Sequence, residues 1–171
     1  RTQQQMDVLL KEKQRLEAIN QSLRNNLNFT QEAMTKDSVT GLFNEDFCVR
    51  FLLNIFNQEQ WDDFSVLFFL IDDMKQINSI YGERAGNDIL ESTGAVLFYQ
   101  KNDDDTLFRI SGPSFALVTS VRDQEDLLGY AEKFRVSIEN DRGFLTKVTV
   151  SVGIVRVQYS KLAEQSAPES M

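Results

Sequence analysis

The chain has 171 residues and a formal charge of −8, with 42% hydrophobic and 26% charged residues, the proportions of an ordinary globular protein. It contains no His and a single Cys, Cys48. These counts exclude a Ser-His-Asp triad, a Cys-His dyad, an internal disulfide and a multi-thiolate zinc site, leaving carboxylates, Lys, Tyr or a carboxylate-held magnesium for any catalysis.

Residues 1–36 are rich in Gln, Asn, Lys and Glu and lack Gly and Pro. Leu9, Leu16 and Leu23 recur every seven residues, and Met6, Leu27 and Met34 fit the second seam, with Lys13 and Asn20 between them. This spacing predicts a long helix with a coiled-coil stripe, and a seam Asn favours a two-stranded partner. The expected assembly is a parallel homodimer; the plainer alternative is one amphipathic helix lying on its own domain. The segment carries six basic and four acidic side chains, against twelve and twenty-two in residues 37–171, so a net of +2 precedes a domain at −10.

Next in chain order, Asn44 is placed to cap a helix with apolar positions Phe47, Phe51, Ile55 and Phe56. Phe64 to Ile71 is a nearly continuous apolar run, which predicts a strand buried on both faces. Ala85, Ile89, Thr93, Val96 and Leu97 mark a second helix on this domain. Thr106–Ile110 and Phe115–Thr119 read as strands around the tight-turn sequence Ser111-Gly112-Pro113. Leu127, Ala131, Phe134 and Ile138 mark a further helix, and Val148, Val150 and Val152 alternate as a half-buried strand does. Apolar patterning fades beyond, so residues 159–171 are expected to form a flexible tail. The expected fold is α/β (α+β): a central mixed sheet flanked by helices, with a long N-terminal coiled-coil helix.

No apolar run is long enough for a membrane span, and no secretory signal is visible. The lone thiol fits a reducing cytoplasm, and the acidic balance argues against nucleic acid as a partner. A first residue other than Met suggests a piece of a longer protein.

Four segments carry a resemblance. Asp37-Ser38-Val39-Thr40-Gly41-Leu42-Phe43-Asn44 resembles a D-x-L-T-G-L-x-N motif. Residues 70–87, LIDDMKQINSIYGERAGN, resemble D-x-D-x-F-K-x-I-N-D-x-Y-G-H-x-x-G-D. Arg109-Ile110-Ser111-Gly112-Pro113-Ser114-Phe115 stands where R-Y-G-G-D-E-F would be, and Val148 to Ile154 matches a V-T-x-S-x-G strand. In this order and spacing they are similar to the GGDEF family, the diguanylate cyclase domains of bacterial cyclic-di-GMP signalling. The implied domain spans 37–158.

The resemblance implies a site where two facing domains each hold a GTP. Magnesium is gripped there by the first Asp of D-x-D, a backbone carbonyl and an acidic residue of the signature hairpin. Charged oxygens suit that hard cation, which activates the attacking ribose oxygen and neutralises phosphate charge. The spacing of Lys75, Asn78, Gly82 and Gly86 puts Leu70 at the metal-binding Asp. The two acids of the signature become Pro113 and Ser114. No metal or other cofactor is therefore expected. Asp72 and Asp73 are the possible substitutes, set against the plainer reading of a solvated turn.

The family's base-reading positions fall on Asn78 and Asn87, and its phosphate-side Lys on Lys75, otherwise a surface Lys at a helix start; all three are read as vestigial. The family's inhibitory R-x-x-D motif falls on Asn102 to Asp105, with Arg replaced by Asn102 and the Asp kept at Asp105. The 103–105 acidic run otherwise reads as a solvated turn. The family's later A-D-x-A-L-Y helix is not reproduced by Tyr159-Ser160-Lys161-Leu162-Ala163. The expectation is a catalytically inactive GGDEF-like module acting by dimerisation or contact with a signalling protein. The alternatives are a GTP or cyclic-di-GMP receptor without turnover, and a residually active cyclase.

Overall fold

The computed structural model describes residues 2–59 and 61–159. Contacts divide the chain into two units, Arg1–Thr35 and Lys36–Met171. The first is a single helix, α1 (Thr2–Thr35), about 50 Å long at the usual rise. The described residues of the second unit give α2 (Glu45–Phe56), β1 (Phe64–Ile71), α3 (Met74–Tyr81), α4 (Glu83–Gln100), β2 (Thr106–Arg109), β3 (Ser114–Thr119), α5 (Gln124–Glu139) and β4 (Val150–Val157). The expected tail lies outside the described residues from position 160 onward.

Local chemistry explains several boundaries. Asp37 accepts from the Thr40 amide at 2.8 Å and the Thr40 hydroxyl at 2.7 Å, and Gly41 follows at a φ of 70° that a side chain would resist. That turn delivers Leu42 into the core and Phe43 to β2, where its carbonyl accepts from the Arg109 amide at 2.7 Å. Asn44 caps α2 as expected, accepting from the Phe47 amide at 2.9 Å. Asp123 caps α5 in the same way through the Glu125 and Asp126 amides. The segment 74–81 forms a helix of its own that buries Met74 and Ile77, and Gly82 breaks it from α4 with a φ of 88°.

The strand order is β2-β3-β1-β4, and all three ladders are antiparallel. The parallel component of the expected mixed sheet is one bridge, Phe43 to Phe108, on the outer edge of β2. β4 starts at Val150 rather than Val148, whose side chain is buried just before it, and continues past Val152 to Val157.

On one face of the sheet, Leu67, Phe69 and Ile71 pack with Ile89 and Leu97 of α4 and Phe134 and Ile138 of α5. The Phe69 and Phe134 rings meet edge to face at 5.3 Å. On the other face, α2 lays Cys48 and Phe51 over Phe64, Val66 and Phe108. Burial pushes the Cys48 thiol pKa up, with Glu45 adding to the shift.

The expectation that β1 is buried on both faces holds for only half its length. Phe68 and Leu70 are each 41% exposed, because α2 stops short of them. Their ladder partners are small: Ala116 and Gly153 beside Phe68, Ser114 and Ser151 beside Leu70.

Candidate functional site

The C-terminal end of β1 and the hairpin between β2 and β3 meet at one edge of the sheet. Leu70 pairs with Ser114 on one side and Ser151 on the other, so Leu70 and Ser114 are direct cross-strand neighbours. The Ile71 amide donates to the Pro113 carbonyl at 3.0 Å, which ties the turn to β1. Within the hairpin, Ser111 and Gly112 are exposed, Pro113 is half-buried, and Ser114 and Phe115 are buried. Gly112 takes a φ of 62°, the turn position at which a missing Cβ matters.

Arg109 fixes the hairpin from inside. Its guanidinium donates to the carbonyls of Ile110 and Gly112 and, at 3.1 Å, to that of Ser114. It lies 5.2 Å from the centre of the Phe115 ring. Burial lowers the Arg109 pKa, and the charge of Asp37 opposes that shift. Sequence reading names Arg109 only as a motif letter; its role depends on carbonyls that the fold brings around it.

Asp72 and Asp73 differ. Asp73 is exposed and adopts a left-handed φ of 54°, as a turn residue does. Asp72 is half-buried in the same turn and is bound from another strand. Its two carboxylate oxygens each accept at 2.7 Å, from the Thr149 hydroxyl and the Ser151 hydroxyl. Asp72 therefore latches β4 to the end of β1, a role invisible locally because its partners lie far along the chain.

Lys75 and Asn78, three residues apart, share a face of α3 and are exposed. A Cβ on Gly86 would collide with the Asn78 amide oxygen, so Asn78 lies over the start of α4, next to exposed Asn87. The structure thus brings the two Asn positions to one helix junction.

Asn102 and Asp105 sit in the turn before β2. Asp105 is 5% exposed, which corrects the expectation of a solvated acid. It accepts from the Tyr130 hydroxyl at 2.5 Å and from the Asn102 amide at 3.2 Å. The Asn102 amide also donates to the Tyr130 oxygen at 2.7 Å. Burial first, then the Asp105 hydrogen bond, raises the Tyr130 phenol pKa well above its ordinary range. The carboxylate is engaged inside the domain, while Asn102, Asp103 and Asp104 of the same turn are exposed.

Within α1, Leu16, Leu23, Met6, Leu27 and Met34 are exposed. The side chain of Leu9 lies outside the described residues. Leu10 and Ile19 are exposed as well, flanking the expected seam and widening the apolar stripe.

The residues at the family's metal positions do not fit magnesium. Leu70 offers no oxygen, Pro113 no side-chain donor atom, and Ser114 a neutral hydroxyl. Among the described residues, no group of three Cys, Asp or Glu side chains is placed to hold an ion.

An antiparallel sheet with helices on both faces and this hairpin at one end of its strands defines a domain of α/β (α+β) architecture. The profile of the GGDEF family, described as "Diguanylate cyclase, GGDEF domain", matches residues 34–167, and the chain belongs to that family. The match runs past residue 158, into the segment expected to be a tail.

Among its relatives is the probable diguanylate cyclase DgcT of Escherichia coli, 25% identical over 142 residues, 80% of this chain and 31% of the relative. Diguanylate cyclase DosC of the same organism is 29% identical over 112 residues, 62% of this chain and 24% of the relative. The chain thus spans a third or less of these curated relatives.

Among solved structures, the coiled coil and GGDEF domain of DgcB from Caulobacter crescentus, in complex with c-di-GMP, aligns with a TM-score of 0.75 at 20% identity. It covers 84% of this chain and 80% of that one. Diguanylate cyclase SiaD from Pseudomonas aeruginosa, in complex with its activator SiaC, aligns with a TM-score of 0.66 at 23% identity, covering 92% and 65%. At these identities the likeness is one of fold. Among the described residues, no helix is long and apolar enough to cross a membrane.

Proposed function

We propose that this chain is a catalytically inactive GGDEF domain that serves cyclic-di-GMP signalling as a regulatory module, through dimerisation and contact with a signalling protein. The observation that carries the reading is the cross-strand pair of Leu70 and Ser114. The fold brings the two positions together as metal binding requires, yet neither supplies a carboxylate. Asp72, the carboxylate beside them, has two hydrogen bonds, accepting from the Thr149 and Ser151 hydroxyls, which orient it toward β4. A triphosphate brought to a domain at −10 without a bound cation meets net repulsion.

Incubating pure protein with GTP and magnesium is the direct test. No cyclic-di-GMP is expected, and appreciable product would sink the proposal.

A nucleotide receptor without turnover is the second reading, favoured by the shared junction of Asn78 and Asn87 and the nearby face of Lys75. Calorimetry with GTP and with cyclic-di-GMP separates it from the first: binding heat supports a receptor, silence supports a protein-contact module.

The exposed apolar stripe of α1 supports a parallel homodimer. Leu16→Lys is expected to give a monomer in light scattering; an unchanged dimer places the interface elsewhere.

A further inference from the structure

At the opposite end of β1 from Leu70, the surface carries a groove of about 670 Å³ that no catalytic motif touches; of the inhibitory-motif segment 102–105, Asp104, at a variable position of the motif, lines it. Phe64 and Leu70 are six positions apart along the strand, roughly 20 Å, so the two sites are physically separate.

One wall is aromatic. Phe51, Trp61, Phe64 and Tyr159 line it. Trp61 is half-buried at its centre, with its ring 5.3 Å from Tyr159 and 5.6 Å from Phe64. The wall is held in place by hydrogen bonds: the Tyr159 amide donates to Asp63 at 2.9 Å and the Tyr159 hydroxyl to the Glu59 carbonyl at 2.7 Å.

The groove is also acidic. Asp62, Asp63 and Asp104 line it against one cation, Arg122, among the described residues. Asp62 and Asp104 are exposed. Ring faces carry negative quadrupole potential, and carboxylates beside them add full charge. Both attract a cation that can also lie flat on an aromatic surface. A guanidinium does this better than an ammonium, since it is planar, weakly hydrated and able to fork onto a carboxylate. The volume takes a side chain together with adjoining backbone, which favours a polypeptide over a free ion. The net −10 of residues 37–171 steers a basic segment toward this unit and an acidic one away.

We infer that this groove is a docking site for a basic, arginine-bearing segment of a partner protein. The aromatic wall receives the guanidinium plane, and Asp62 and Asp104 receive its N–H groups. The inference stands whether or not the domain turns over GTP, because no residue of the groove is at a catalytic position and Asp104 is at a variable position of the inhibitory motif.

Trp61 is the only Trp in the chain, so fluorescence excited selectively at tryptophan reports on this wall alone. The whole chain is titrated with a short blocked peptide of alternating Arg and Leu, followed by fluorescence and, in parallel, calorimetry. The control peptide carries citrulline, neutral and nearly isosteric, in place of Arg. A saturable response to the Arg peptide is expected, with its midpoint weakened about tenfold in the double variant Asp62→Asn, Asp104→Asn. Both positions are exposed, so the variant keeps its fold. A second variant, Glu83→Gln with Glu91→Gln on α4, removes the same net charge elsewhere and is expected to move the midpoint by less than about twofold.

Neither fluorescence change nor heat up to about 1 mM peptide overturns the inference. So does equal binding of the citrulline peptide, equal binding by the groove variant, or equal weakening by both variants. Cyclic-di-GMP production is not read by this experiment, so its failure leaves the catalytic proposal where it was.

Discussion

The two faces of β1 have met different fates. Leu67, Phe69 and Ile71 are at most 2% exposed, closed over by α4 and α5. Phe68 and Leu70, one residue out of phase, are 41% exposed with only small residues beside them. The covered face is packed like any core. The open end of the other face is where the family's ion and nucleotide would sit, and here it presents hydrocarbon to water. The difference teaches that a binding face and its supporting core can be altered separately, although they alternate along the same eight residues.

The comparison breaks if the covered face turns out tolerant. Phe69→Ala is expected to cost about 3–5 kcal/mol in urea denaturation, through lost burial and an unfilled cavity. A loss below about 1 kcal/mol would mean that the core is looser than its packing implies.

A middle-sized effect sharpens it from the polar side. Tyr130 packs against the covered core and has a raised phenol pKa. A group whose folded pKa is raised contributes stability that is full below its unfolded value, here 10.0, and lost as pH rises beyond it. Wild type is therefore expected to lose stability more steeply above about pH 10 than Tyr130→Phe, in thermal melts across alkaline buffers. Parallel curves would show that neither burial nor Asp105 shifts the phenol.

The smallest effect is expected at the open end. Leu70→Asp is expected to change stability by no more than about 0.5 kcal/mol, because the side chain is exposed and loses little packing. A large loss in the same denaturation assay would mean that something covers this face in solution.

Much of the fold is legible in the sequence, because apolar spacing records which side of each helix and strand is covered. The helical spacing of Leu127, Ala131, Phe134 and Ile138 in α5 is of that kind, and the Asn44 cap and the turn at 111–113 are read from local residue chemistry. β1 is where the reading goes astray: the six apolar residues from Val66 to Ile71 carry no phase, so nothing in them says that α2 ends before Phe68. The site is legible by position, since motif spacing places Leu70 and Ser114, and the ladder makes them neighbours. The roles of Asp72, Asp105 and Arg109 are not legible. Each depends on partners supplied by another strand, another helix or the turn's own backbone, and no local pattern encodes those meetings. Leu10 and Ile19 fall outside a strict seven-residue repeat, so the breadth of the α1 stripe emerges only from its exposure.

Arg109 grips its hairpin by main-chain carbonyls alone, at Ile110, Gly112 and Ser114. Every residue type provides a carbonyl. The shape of this turn is therefore insulated from most replacements at the positions it displays, and acids can drift to Pro or Ser there while the scaffold registers little change. A hairpin built this way keeps its outline across many changes in the residues it displays.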